Sequence, residues 1–91
     1  MLRREVTVHS ENGLHLRPMS LIARVVVQHQ CDVRIGNGEK TVDASSPLNL
    51  MSLNAKAGSQ LILEADGPDE LAVLEELIAL FESNFEIPDE E

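Results

Sequence analysis

The chain has 91 residues, 43% of them hydrophobic, with no Trp, no Tyr and only two Phe, so one modest aliphatic core is expected. Its 16 acidic and 7 basic residues give a net charge of −9, too few cations to grip nucleic acid by its phosphates. The lone Cys31 excludes an internal disulfide, and no apolar run approaches the roughly 18–20 residues of a membrane span.

The opening Met1-Leu-Arg-Arg-Glu carries no apolar run of the signal-peptide kind. A reduced, cytoplasmic setting is therefore expected. Residues 2–9 read as a strand, with Leu2, Arg4, Val6 and Val8 on its inner face. Asn12-Gly13 breaks the pattern. From Leu16 to Gln28, Met19, Ile22, Ala23 and Val26 recur at helical spacing, and Pro18 sits in the first turn, where a missing N–H costs little.

Residues 31–35 and 39–43 read as two strands joined at Gly36-Asn37-Gly38, since Asn-Gly is a strong hairpin signal. Ser46-Pro47 opens a short helix to about Leu53, with Ser as N-cap and Pro at the first helical position. Gln60 to Asp66 alternates as a strand. The spacing then predicts a helix over 68–84, with Leu71, Leu74, Leu77, Ile78, Phe81 and Phe85 as its apolar stripe. No repeat or linker divides the chain, so residues 1–91 read as one domain, frayed in an acidic tail from about residue 86. The order βαββαβα points to an α+β domain of two layers, with antiparallel strands on one side and helices on the other.

The chemistry concentrates at Gly13-Leu14-His15-Leu16-Arg17-Pro18, where the first strand hands over to the first helix. First-turn N–H groups lack intrahelical partners, and the macrodipole adds about half a positive charge, so the junction suits an anion. Arg17 contributes a planar guanidinium that matches phosphate oxygens. Imidazole is largely neutral at pH 7 and is then nucleophilic, which makes His15 the reactive group. By spacing alone, His15 reads equally as an irregular cap and Arg17 as an ordinary surface charge. His9 and His29 have no metal-ligand spacing with Cys31 or a carboxylate pair, so no metal is expected.

The segment resembles the active-site signature of HPr, the histidine-containing phosphocarrier family of the bacterial phosphoenolpyruvate-dependent phosphotransferase system. Lys40-Thr-Val-Asp-Ala-Ser-Ser46, Leu50-Met-Ser-Leu53 and Gly58 are similar to the family's regulatory-serine region. The resemblance implies an open-faced β-sandwich, a four-stranded antiparallel sheet with three helices on one face. It implies phosphorylation of His15 by phosphorylated enzyme I, transfer to EIIA-type acceptors of the sugar-transport system, and Arg17 steadying the phosphate. The chain would then be a covalently modified carrier, with no cofactor, and not an independent catalyst.

Ser46 matches the serine modified by a dedicated kinase/phosphorylase in many members, and reads equally as a plain N-cap ahead of Pro47. Leu16, Leu21, Arg24, Pro47, Leu48 and Met51 stand as partner-docking candidates, with Leu21 and Leu48 read equally as core. Val27 and Gln28 replace basic residues that many members carry. The alternatives are a regulatory interaction module of the same fold, gated by phosphorylation at Ser46, and an acidic adaptor without phosphoryl chemistry. A monomer is expected.

Overall fold

Alternating burial builds the sheet. The computed structural model describes residues 1–86 and contains strands β1 (Leu2–Thr7), β2 (Asp32–Gly36), β3 (Thr41–Asp43) and β4 (Gln60–Asp66). Helices α1 (Leu16–Val27), α2 (Pro47–Met51) and α3 (Glu70–Glu82) complete the order βαββαβα. The strands lie in the order β1-β4-β2-β3, and every pair is antiparallel. Leu2 faces Ala65 and Thr7 faces Gln60 across the first pair. Val33 faces Ala65 and Ile35 faces Leu63 across the second.

Val6, Val33, Ile35, Leu61, Leu63 and Ala65 are buried, while their sequence neighbours, Gly36 excepted, stay partly or fully exposed. Period-two alternation over one covered face demands this pattern. The helices supply the cover: α3 packs on β4 and β1, and α1 packs on α2 and α3. Pro18, Met19, Ile22, Ala23 and Val26 form the buried stripe of α1.

β1, β3 and the three helices are shorter than the pattern suggested, whereas β4 keeps its expected bounds and β2 shifts by one residue. β1 stops at Thr7 because Val8 leaves the ladder with β4 and pairs instead with the 58–59 loop, through Val8 N–H to the Ser59 carbonyl at 2.8 Å. Within the expected inner face of β1, Arg4 lies exposed and turns its guanidinium to the Arg3 carbonyl at 2.8 Å. The stripe of α3 also needs correcting. Leu71 is 54% exposed, and Val73 takes a core place beside Leu74 and Leu77. Leu71 lies at the edge of the buried stripe, on the same side as half-buried Ile78 two turns on, whereas Val73 shares the central face with Leu77 and Phe81. The tail expected to fray lies, beyond Glu86, outside the described residues.

After α3 the backbone passes through two left-handed residues, Asn84 (φ 58°) and Phe85 (φ 61°). The Phe85 amide donates to the Leu80 carbonyl at 2.7 Å. This turn folds the Phe85 ring back against Phe81, with centroids 4.8 Å apart and planes at 67°. An edge-to-face pair offsets backbone strain that a bulky residue otherwise avoids.

His29, next to the end of α1, meets the start of α3. Its Nε2 lies 2.5 Å from Glu76 Oε1, and its Nδ1 lies 3.5 Å from Asp69 Oδ2. The Glu76 hydrogen bond, joined by Asp69, raises the His29 pKa against a smaller opposing effect of burial. A raised folded-state pKa stabilises the protein fully below the ordinary histidine value of about 6.5, and that contribution fades as pH rises through the raised value. Urea unfolding is expected to show a loss of stability as pH rises above about 6.5. His29→Gln should flatten the profile there, and an unaltered profile would remove His29 as its source.

Candidate phosphoryl-acceptor site

The site is assembled from two loops and one helix end. Gly13 adopts φ +71°, a conformation that favours glycine. A Cβ at Gly13 would lie 2.5 Å from the Ala55 carbonyl oxygen, so only glycine lets the two backbones meet. The Leu14 amide then donates to that carbonyl at 3.0 Å, and the Leu14 side chain is buried. On the other side of the loop, the Gly58 amide donates to the Val8 carbonyl at 2.8 Å. His15 is therefore the first residue after a segment pinned at both ends.

His15 is the N-cap of α1, with extended backbone (φ −104°, ψ −169°) and no side-chain capping bond. Its carbonyl accepts from the Met19 amide at 3.1 Å, which closes the first turn without using the ring. The imidazole is exposed. Leu16 and Arg17 amides occupy the first turn, where no intrahelical acceptor exists, and Pro18 brings no N–H to compete. An anion beside the ring would gain about 0.3–1 kcal/mol from this helix end if exposed. Arg17 is exposed and forms no ion pair among the described residues.

Ser46 caps α2. Its hydroxyl oxygen accepts from the Asn49 amide at 3.3 Å, with Pro47 at the start of the helix. Such a cap contributes about 1 kcal/mol relative to alanine. Asp43, just upstream, accepts from the Ser45 amide at 2.9 Å and hydroxyl at 2.8 Å, which holds its pKa below the usual carboxylate value.

The docking candidates divide. Leu16 is 67% exposed, Leu48 76% and Met51 54%, which removes Leu48 from the core. Val27 is also exposed, at 66%. Leu21, by contrast, is half-buried and packs against the core. With Arg24, Leu21 lines a groove of about 480 Å³ between α1 and α3, together with Val25, Ala79 and Leu80. Pro47 is half-buried. Burial raises the Cys31 thiol pKa, away from the range of a reactive thiolate.

No sequence pattern marks the support given by Ala55 or the approach of Glu76 and Asp69 to His29. Only Gly13 hinted at the first, because a glycine before a reactive residue permits a close backbone approach. Among the described residues no group of three or more His, Cys, Asp or Glu side chains is arranged to hold a metal ion. No helix among them is long and apolar enough to cross a membrane.

The family model described as "PTS HPr component phosphorylation site" matches residues 2–83. The chain belongs to the HPr family of phosphocarriers. It is 34% identical over 85 residues to the phosphocarrier protein HPr of Cupriavidus necator, covering 93% of this chain and 96% of that protein. It is 31% identical over 86 residues to the phosphocarrier protein NPr of Klebsiella oxytoca, covering 93% and 96% respectively. The crystal structure of HPr from Thermoanaerobacter tengcongensis superimposes with a TM-score of 0.89 at 29% identity, covering 93% of this chain and 96% of that one. The βαββαβα sheet and helix cover are thus those of HPr structures, as the sequence resemblance implied.

Proposed function

We propose that this HPr-family chain, acting as one domain, accepts a phosphoryl group on His15 from phosphorylated enzyme I and passes it to an EIIA-type acceptor. The observation that carries this reading is the exposed His15 ring, free of any capping bond, at a helix N-terminus whose open amides and Arg17 suit a phosphate. In the transfer, a neutral ring nitrogen attacks phosphorus and the new N–P bond forms as the donor's N–P bond breaks. The ring's other N–H is retained until solvent takes a proton. The second transfer reverses these roles, with this chain as leaving group. A modest electrostatic gain at the helix end leaves the phosphohistidine able to depart again.

Such a chain is a covalent intermediate between partners and not a self-contained enzyme. Its place of action is the cytoplasm, and its docking face comprises Leu16, Leu21, Arg24, Pro47, Leu48 and Met51.

The test is phosphoryl transfer from phosphoenolpyruvate through enzyme I of the same organism. Acid-labile, base-stable label supports the carrier. Acid-stable, base-labile label, formed by a kinase and lost in Ser46→Ala, would favour the module gated at Ser46. Arg17→Ala is expected to slow His15 labelling by roughly the 10–100-fold that loss of a charge-stabilising group costs. Circular dichroism should be unchanged, because Arg17 makes no ion pair among the described residues. An unaltered rate would take Arg17 out of the site.

A further inference from the structure

The β2–β3 hairpin holds the loop on which His15 rests. Asn37, half-buried in the hairpin turn, accepts through Oδ1 from the Glu39 and Lys40 amides, each at 2.9 Å. Those two donors fix the orientation of the carboxamide, because a flipped group would set N–H against N–H. The opposite end of the side chain, Nδ2, donates across the fold to the Leu53 carbonyl at 3.2 Å. Leu53 is the second residue beyond α2, and its side chain is buried.

From Leu53 the chain passes through Asn54, left-handed at φ 53°, to Ala55. The Ala55 carbonyl is the acceptor for Leu14 and the wall against Gly13. Asn37 thus stands at the far end of a short run of contacts: hairpin to Leu53, two residues to Ala55, and Ala55 to the residue before His15. Beyond Ala55 the largely exposed turn 56–59 is tied to Val8 by the Gly58 amide and the Ser59 carbonyl, each at 2.8 Å, so Asn37 supplies the side-chain support at the opposite, Leu53 end of this stretch.

We infer that Asn37 is a positioning residue for phosphoryl transfer at His15, acting through the Leu53–Ala55 segment; this rests on the carrier reading of His15. Misplacement of a reacting group by about 1 Å can cost up to 100-fold in rate, so a loosened support is felt at the nucleophile. The hairpin itself does not need the Leu53 bond. Its own closure uses Oδ1 and the Asn37 amide, which donates to the Lys40 carbonyl at 3.0 Å.

Asn37→Asp separates the two ends, because a carboxylate still accepts from Glu39 and Lys40 but cannot donate to Leu53. Hydrogen exchange at the Leu14 amide should accelerate several-fold. The maximal rate of phosphoryl transfer from enzyme I should fall on the order of 10-fold, with KM for that donor unchanged because the docking face is untouched. Gly38→Ala is the comparison. It strains the hairpin at φ +96°, where an added Cβ meets nothing within 4 Å, and leaves the Leu53 bond alone. That variant should lose stability while keeping the transfer rate and Leu14 protection.

Asn37→Asp behaving like Gly38→Ala would overturn the inference and make Asn37 a hairpin residue only. Should Asn37→Asp not fold, Asn37→Ser keeps a short acceptor without the charge and is read the same way. Leu14 exchange does not depend on labelling. A wild type that takes no label defeats the carrier reading, whereas unchanged Leu14 exchange in the variant defeats the coupling.

Discussion

His15→Ala is expected to abolish acid-labile phosphorylation completely while leaving the fold and its stability within about 0.5 kcal/mol of wild type. Loss of the ring removes the proposed nucleophile, and neither Leu16 nor Arg17 can replace it. Stability is spared for a structural reason. The His15 side chain makes no capping hydrogen bond, and the bond that does close the turn comes from its backbone carbonyl to Met19. Alanine keeps that carbonyl. A serine cap such as Ser46 would behave differently, because there the side chain itself accepts from a helix amide. Labelling through enzyme I, paired with circular dichroism and a urea midpoint, checks both halves. Continued acid-labile labelling would move the acceptor to another residue, and unfolding would make the ring structural.

The second large effect is on stability. Phe81→Ala is expected to cost about 3–5 kcal/mol, the range for truncating a buried aromatic. Phe81 is 1% exposed in a chain whose aromatic content is two phenylalanines. Its loss also strands Phe85, whose left-handed backbone is offset by the edge-to-face ring pair. Against a typical total of about 5–15 kcal/mol, such a loss leaves a small domain marginal at best. Leu71→Ala, on the same helix but exposed, should stay within about 0.5 kcal/mol. Urea or thermal unfolding of the two variants compares them directly, and a small loss for Phe81→Ala would show that the core relaxes around the space.

Much of this architecture was legible because local chemistry and tertiary packing agree. The alternation of Leu61, Leu63 and Ala65, the 3.6-residue recurrence of Met19, Ile22 and Val26, and the Ser46-Pro47 start of α2 all reappear where expected. Each is set by near neighbours in the chain. Leu71 shows the limit of that logic. Helical periodicity assigns a face, but the way that face docks on the sheet decides which of Leu71 and Val73 is covered. Leu48 was ambiguous for the same reason, since a five-residue helix has too few positions to define a stripe, and only the packing of α2 against α1 and β3 leaves it exposed.

The acceptor candidate, its cationic neighbour and the helix that carries them follow from six consecutive residues, Gly13 to Pro18, because capping and first-turn chemistry act over a single turn. What holds that segment in place comes from elsewhere. Ala55 lies 40 or more positions from Gly13, Leu53 is 16 residues from Asn37, and Glu76 is 47 from His29. A sequence pattern carries no sign of a backbone carbonyl that will be met across the fold, since every residue has one. The acceptor candidate was therefore readable by itself, and its support was decided only when the chain closed on itself.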